Sequence, residues 1–310
     1  MKPDILAVDK LPPFLEDRLR AAFAFHDRTN DATAFAAITG RVCGLVALGT
    51  STVAGEFIAQ LPALEIISVF GVGYDGIDIQ AAHKRGVVVT NTPDVLTDDV
   101  ADLCLGLILS VSREISAAER FLRGGQWQNG AFHLARKVSG SRLGIIGLGR
   151  IGNAVARRAE GFGMSIAYTD LREKPNVPYR FYPTLLELAG NSDFLVVAAF
   201  GGPTTRNLVN AEVLKALGPE GSLINIARGS LVDEPALVEA LKNHTIRGAA
   251  IDVYADEPNV PAELLAMENV VLTPHMASGT VQTRHAMANL TFANLEAHFE
   301  GKPVLTPVSQ

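Results

Sequence analysis

What most narrows the folds open to this chain is a strand, a glycine-rich turn and a helix in direct succession. Leu143-Gly144-Ile145-Ile146 reads as a buried strand, Gly147-Leu148-Gly149-Arg150-Ile151-Gly152 follows it, and a helical stretch over 151–162 comes next. Each glycine answers a physical need. Gly147 makes the tight turn, Gly149 leaves room for a pyrophosphate to approach the backbone, and Gly152 lets the helix pack close to the strand. The N–H groups near Arg150 and Ile151 then face an anion at the positive end of the helix. A GxGxxG string alone is a weak signal; its place between strand and helix makes it a candidate dinucleotide turn. Asp170 ends the next expected strand, eighteen residues past Gly152. An acid there accepts hydrogen bonds from ribose hydroxyls and repels a 2′-phosphate, which favours NAD(H) slightly over NADP(H). Arg172 can pair with that phosphate and opposes the preference, so NADP(H) stays open.

The rest of the chain carries the same alternation. Apolar runs at 5–8, 42–48, 66–70 and 87–90 read as strands, with helical stretches at 11–24, 55–61 and 79–85 between them. Continuous apolar strands separated by helices imply parallel sheets covered on both faces. Thr97-Asp98-Asp99 opens a long helix, with Thr97 as N-cap and two acids at its positive end; it fades near Gly124-Gly125 and reads as a bridge between domains. From Arg142 the alternation restarts, with strands at 143–147, 165–168, 194–199, 222–226, 248–252 and 270–272. The helices there fall at 151–162, 185–189, 211–216 and 235–242, and a last one spans 281–299. Six strands with helical crossovers is the count of a full doubly wound dinucleotide fold.

Composition excludes several classes. Of 310 residues, 48% are hydrophobic and 19% charged, which excludes a disordered chain. The net charge of −6 argues against nucleic acid and anionic membranes as partners. The longest apolar stretch, 100–111, is too short to span a bilayer, and no signal-peptide core opens the chain. Two cysteines, Cys43 and Cys104, imply no disulfide framework and suit a reducing cytoplasm. The seven histidines show no metal-ligand spacing, so no metal is expected.

Further motifs stand in a fixed order. Upstream lie Gly71-Val72-Gly73-Tyr74-Asp75 and Asn91-Thr92-Pro93-Asp94-Val95-Leu96-Thr97. After the glycine turn come Phe200-Gly201-Gly202-Pro203-Thr204-Thr205-Arg206 and Asn225-Ile226-Ala227-Arg228-Gly229. Asp252-Val253-Tyr254-Ala255-Asp256-Glu257-Pro258 and Thr273-Pro274-His275 complete the set. In this order they resemble the D-isomer-specific 2-hydroxyacid dehydrogenases over nearly the whole chain, with the glyoxylate/hydroxypyruvate reductase branch nearest.

That resemblance implies an α/β protein of two doubly wound parallel-sheet domains: a flavodoxin-like substrate domain, 1–98 with 283–310, and a Rossmann cofactor domain, 99–282. It implies hydride transfer from NAD(P)H to C2 of a small 2-oxo acid, giving the D-2-hydroxy acid, with Arg228, Glu257 and His275 as the catalytic set. The chemistry is sensible. His275 can donate a proton near neutral pH, Glu257 favours the imidazolium and fixes the ring, and Arg228 offers a fork of donors to the carboxylate and carbonyl oxygens. Val72 and Gly73 would bind the substrate carboxylate through a nest of N–H groups. Cofactor contacts are implied for Gly147, Gly149, Arg150, Ile151, Gly152, Asp170, Arg172, Pro203, Ile226, Ala227, Arg228, Asp252, His275 and Ser278. Asp252 would lie near the nicotinamide carboxamide, or it is an ordinary capping acid. Arg284 and His285 open the last helix; they either reach the substrate or, as the favoured reading, are surface or interface residues. Trp127 is either part of a homodimer interface or a packed aromatic.

Two function classes follow. The first is a cytoplasmic, homodimeric reductase of glyoxylate or hydroxypyruvate, with 2-ketogluconate and hydroxyphenylpyruvate reductases of the same family as alternatives. The second is a dinucleotide-sensing corepressor-like protein, against which the lack of long extensions argues.

Overall fold

The computed structural model describes residues 2–27 and 32–308. The chain forms two compact units, Met1–Leu96 with Thr280–Gln310, and Thr97–Gly279. These boundaries lie two to three residues from the 98/99 and 282/283 expected from sequence.

The first unit is built on β1 (Asp4–Ala7), β2 (Ala24–Asp27), β3 (Val42–Leu48), β4 (Ile66–Phe70) and β5 (Val88–Thr90), with helices α1 (Pro13–Ala22), α2 (Ala32–Ile38), α3 (Gly55–Ala59) and α4 (Ile79–Lys84). The strands pair in the order β2-β1-β3-β4-β5, all parallel. That is the flavodoxin-like winding. Leu45, Ile67 and Val69 are fully buried, as strands covered on both faces must be. The C-terminal helix Val281–Phe299 packs on α1 and β4. The buried Ser68 hydroxyl donates to Thr291 O at 3.1 Å and helps fix that helix on the sheet.

The second unit carries β6 (Arg142–Ile146), β7 (Ser165–Thr169), β8 (Arg180–Phe181), β9 (Phe194–Val197), β10 (Ser222–Asn225), β11 (Gly248–Ile251) and β12 (Val270–Leu272). Its helices are α5 (Thr97–Arg113), α6 (Ile115–Arg123), α7 (Arg150–Glu160), α8 (Leu185–Gly190), α9 (Ala211–Leu217), α10 (Glu234–Lys242) and α11 (Ala262–Ala266). The sheet runs β12-β11-β10-β9-β6-β7-β8, all parallel. This is the doubly wound Rossmann order with one strand added at the edge. Strand order reverses between β6 and β9, so the carboxyl ends of β6, β9, β10 and β11 open beside the switch point where such sheets bind ligands.

Some elements depart from the sequence reading. Strands β2 and β8 were not anticipated: both are short sheet-edge strands with none of their residues fully buried, so they lack an apolar run. Helices α2 and α11 were also missed. The long helix expected from Thr97 is two helices. It breaks at Glu114, whose φ is +54° and whose carboxylate meets His133 Nε2 at 2.5 Å and Arg247 Nη2 at 3.6 Å. Its first half is a member of the second unit, packed on α7, β10 and β11.

The opposite, amino edge of this sheet is held by charge. Just before β9, Asp193 Oδ2 accepts the Arg142 N–H at 2.7 Å, while Oδ1 meets Arg142 Nη2 at 2.8 Å and Arg136 Nη2 at 2.9 Å. Burial alone pushes this carboxyl up, but the bonds and charge of Arg142 outweigh it and hold the group at about 2 against an ordinary 3.8. The unfolded chain therefore takes up the proton first, and the pair stabilises the fold above pH 3.8 and fades as pH falls through about 2. Arg142 is half-exposed, so solvent screens part of the gain. Asp193→Asn should lower stability at neutral pH by about 1–2 kcal/mol. Denaturant unfolding at a series of pH values checks this: the deficit should shrink below pH 4 and leave catalytic rates unchanged.

Candidate active site

The loops after β10, β11 and β12 bring Arg228, Glu257 and His275 together on the second unit. Glu257 Oε2 lies 2.7 Å from His275 Nδ1, and Oε1 accepts the Tyr254 N–H at 3.0 Å. Both carboxylate oxygens are thus committed, and the ring is oriented through Nδ1, which leaves Nε2 as its outward nitrogen. Burial pushes the Glu257 carboxyl up; the hydrogen bond and charge of His275, the Tyr254 N–H and the Arg228 charge together outweigh it and hold the group below its ordinary value. A carboxylate that stays ionised is what an imidazolium partner needs.

His275 sits in the left-handed region, φ +49°, on the turn that follows Pro274. A histidine tolerates that region better than a branched residue, but it must be held there. Asp252 does the holding. It is fully buried at the end of β11; Oδ1 accepts from Thr273 Oγ1 at 2.6 Å and Met276 N at 2.9 Å, Oδ2 accepts from Ala277 N at 3.0 Å, and its backbone carbonyl accepts the His275 N–H at 2.8 Å. Three donors leave one acceptor position on Oδ2. Beside it, the Tyr254 hydroxyl bonds Thr273 O at 3.0 Å. Burial, then the nearby Asp252 charge, pushes this phenol up to about 12, so it stays a donor.

Asn225 and Gly229, at the two ends of the Arg228 motif, position the arginine, a role the motif alone does not assign. The buried Asn225 ends β10; its Oδ1 accepts the Ala227 N–H at 3.1 Å and its Nδ2 donates to Arg228 O at 2.9 Å. Gly229 lies so close to the next loop that an added Cβ would sit 1.9 Å from the Tyr254 carbonyl carbon. The Arg228 loop and the Glu257 loop are therefore in backbone contact, which only glycine permits. Arg228 Nη1 itself bonds Ala227 O at 2.8 Å.

The cofactor turn follows β6. Gly147 has φ +88°, and a Cβ there would meet Ala199 Cα at 2.7 Å; at Gly152 it would meet Gly147 O at 2.2 Å. At Gly149 and Gly202, by contrast, nothing lies within 4 Å, so the space over the loop is open. The N–H groups of Arg150, Ile151 and Gly152 precede the first intrahelical bond of α7, from Asn153 N–H to Gly149 O, and so stand at its positive end. Asp170, after β7, is tied to this turn: Oδ2 accepts the Leu148 N–H at 3.1 Å and Oδ1 the Leu171 N–H at 2.8 Å. Arg172 is exposed and makes no ion pair with Asp170; Lys174 does, at 3.2 Å. Ile226 is buried under the β10 loop, Ser278 is half-buried beyond His275, and Pro203 opens an exposed turn at Pro203–Thr205. An open cradle lined by helix N–H groups, with an acid at the ribose position, fits a dinucleotide.

On the first unit, Val72 and Gly73 follow β4. Asn91 Nδ2 donates to Val72 O at 2.9 Å and holds the loop, and the Val72 and Gly73 N–H groups have no acceptor among the described residues. A Cβ at Gly71 would meet Gly49 Cα at 2.8 Å, so the loops after β3 and β4 also abut. Arg284 lies 5.8 Å from the centre of the Phe70 ring, and His285 stacks on Phe14 at 4.4 Å. Among the described residues no cluster of His, Cys, Asp or Glu could hold a metal, and no helix is long and apolar enough to cross a membrane.

Residues 105–277 match the family model of the D-isomer specific 2-hydroxyacid dehydrogenase NAD binding domain. The chain is 56% identical over 253 residues, 82% of its length and 81% of the relative's, to hydroxyphenylpyruvate reductase from Plectranthus scutellarioides. It is 42% identical over 307 residues, 99% of both chains, to 2-ketogluconate reductase from Gluconobacter oxydans. The solved NADPH-dependent glyoxylate/hydroxypyruvate reductase of Sinorhizobium meliloti, in complex with NADP and malonate, superposes with a TM-score of 0.93 at 44% identity, covering 100% of this chain and 97% of the other. The fold and the site define an NAD(P)-dependent oxidoreductase. The chain belongs to the D-isomer specific 2-hydroxyacid dehydrogenase family.

The Gly229 contact yields a direct test. Gly229→Ala must push the two loops apart, and overpacking of this kind costs about 1–3 kcal/mol. Thermal unfolding should register that loss, and kcat should fall further than the loss of folded protein accounts for, because Arg228 moves away from Glu257. Unaltered stability and turnover would show that the loops are not in contact.

Proposed function

We propose that the protein reduces a small 2-oxo acid of the glyoxylate/hydroxypyruvate type to the D-2-hydroxy acid, with NADH slightly preferred over NADPH. The observation that carries this reading is the 2.7 Å contact between Glu257 and His275 Nδ1, which leaves Nε2 to deliver a proton to a carbonyl oxygen. A bound reduced nicotinamide supplies the hydride that C2 receives. His275 protonates the oxygen as charge builds there, and Glu257 stabilises the imidazolium until it does so. Arg228 takes the substrate's carboxylate and carbonyl oxygens on its planar fork and fixes the face presented to hydride. The unengaged N–H groups of Val72 and Gly73 are the donors we assign to the substrate carboxylate. Asp252 holds the His275 turn and has one acceptor position left for an amide of the cofactor. The ionised carboxylate beside the histidine favours a reductase over a dinucleotide sensor, which needs no proton donor.

The substrates in the relatives' names set the panel: glyoxylate, hydroxypyruvate, 2-ketogluconate and hydroxyphenylpyruvate, each with NADH and NADPH. We expect glyoxylate or hydroxypyruvate to show the highest kcat/KM. Tight cofactor binding with no turnover of any of them would favour the sensor. His275→Ala should cut kcat by about 10²–10⁴, the usual worth of general acid catalysis, and leave cofactor binding intact. Glu257→Gln keeps a hydrogen-bond partner for Nδ1 but removes the charge, so kcat for reduction should fall by about tenfold, the worth of one charge-assisted hydrogen bond, with cofactor binding kept. A kcat within about twofold of the wild type would remove Glu257 from this role.

We further infer a homodimer. No residue of α6 is buried, and Ile115, Leu122, Trp127 and Leu134 are all at least half exposed. So much apolar surface on one short segment is unusual for a monomer and fits a second copy of the chain. Light scattering should give twice the chain mass of 33.0 kDa, and Leu122→Glu with Trp127→Glu should halve it; a monomeric wild type would refute the inference. The free thiols of Cys43 and Cys104 fit a reducing, cytoplasmic setting.

A further inference from the structure

Strand β5 closes one edge of the first unit's sheet, and an edge strand leaves its N–H and C=O groups open unless something covers them. The segment that follows the C-terminal helix covers this one. Val308 N–H donates to Val89 O at 2.8 Å, Asn91 N–H donates to Thr306 O at 3.3 Å, and Thr90 faces Pro307 in an antiparallel bridge. Asn294, fully buried on the C-terminal helix, holds that segment in place. Its Oδ1 accepts the Leu305 N–H at 2.9 Å and the Thr306 N–H at 3.1 Å. Its Nδ2 donates to Leu290 O at 2.9 Å and to Thr306 Oγ1 at 2.8 Å. Both acceptor positions and both amide hydrogens of Asn294 are therefore used. With Asn294 donating to it, the Thr306 hydroxyl gives its own proton to Asn91 O, at 2.6 Å. The backbone of Asn91 is thus gripped at N–H and C=O by a single residue.

Asn91, so anchored, aims an amide. Its Nδ2 donates to Val72 O at 2.9 Å, and the next residue, Thr92, gives its N–H to Gly71 O at 2.9 Å. In a trans peptide the C=O and N–H point opposite ways across one rigid plane. Holding Gly71 O therefore sets the direction of the Val72 N–H, and holding Val72 O sets that of the Gly73 N–H. A carbonyl that accepts a hydrogen bond also makes the N–H of its own peptide a stronger donor. Thr92 acts through its backbone, which any residue but proline supplies, so the side chain that matters is that of Asn91. We propose that Asn91 is a positioning residue for the substrate carboxylate, aiming the Gly73 N–H, and that segment 305–308 serves the substrate site through its grip on Asn91. This rests on the assignment of the Val72 and Gly73 N–H groups to that carboxylate.

Steady-state reduction of glyoxylate by the full chain at saturating NADH, with oxamate as an unreactive carboxylate inhibitor, tests this. In Asn91→Ala the KM for glyoxylate and the inhibition constant of oxamate should both rise at least about threefold, near the lower worth of one neutral hydrogen bond. The kcat per folded molecule should hold, because the lost contact serves ground state and transition state alike. Asn91→Asp sets a carboxylate oxygen against Val72 O and should raise both constants at least as far. Thr306→Val keeps the shape of the side chain and removes its hydroxyl. It should raise the glyoxylate KM by less, and add nothing in the Asn91→Ala background, because it acts through Asn91. Thermal unfolding gives the folded fraction of each variant. Rises smaller than threefold in Asn91→Ala overturn the proposal, since a residue that serves the fold alone lowers the melting temperature without moving either constant. An equal rise from Thr306→Val in both backgrounds overturns the part given to segment 305–308. Gly73→Pro deletes the N–H itself: if it leaves both constants unmoved, what falls is the assignment of these N–H groups to the carboxylate.

Discussion

Asp252 is the interaction on which the rest of the site depends. Its buried carboxylate ties the Thr273, Met276 and Ala277 donors into one turn, and its carbonyl holds the His275 N–H. Without that grip nothing would keep His275 at a positive φ with its ring turned to Glu257. The same turn is pinned by the Tyr254 hydroxyl, and Tyr254 in turn gives its N–H to Glu257 and lies against Gly229. Three loops from three neighbouring strands are therefore locked into one another. The parallel sheet supplies that neighbourhood, since β10, β11 and β12 pair in sequence and release their loops at one edge.

The division of labour across this sheet is physical. At the amino edge, Asp193 and two arginines form a charge cluster that stabilises the fold and touches no chemistry. At the carboxyl edge, glycines replace side chains wherever backbones must close on one another or on a phosphate. Gly147, Gly152 and Gly229 answer the first need, and the open space over Gly149 is where the proposed dinucleotide's phosphates would lie. The positive end of α7 and the Asp170–Lys174 pair place charge of both signs beside the glycine turn.

Much of the fold is legible in the sequence because strands buried on both faces must be continuous apolar runs. Phe194–Val197 and Ile66–Phe70 are such runs, and their positions follow from composition alone. Edge strands are not: Ala24–Asp27 and Arg180–Phe181 mix polar and apolar residues, because one side of each meets solvent. The break at Glu114 is not legible either: a non-glycine residue takes a positive φ there, and its carboxylate meets His133 and Arg247, both far along the chain. At the site, Arg228, Glu257 and His275 stand out through the motifs around them. Asn225, Gly229 and Lys174 lie in or beside these stretches without standing out, because Gly229 acts by meeting Tyr254 on another loop and the short-range bonds of Asn225 and Lys174 depend on how the backbone turns there.

The central claim is that Glu257 holds the Nδ1 proton of His275 so that Nε2 is the atom that gives and takes the reacting proton. Nitrogen-15 NMR of the histidine-labelled enzyme through a pH titration tests it most directly. The account predicts that the His275 ring loses its proton from Nε2 and remains protonated at Nδ1 in the neutral form, and that this preference weakens in Glu257→Gln. A neutral ring that keeps its proton on Nε2 in the wild type, with Nδ1 bare beside Glu257, would contradict it.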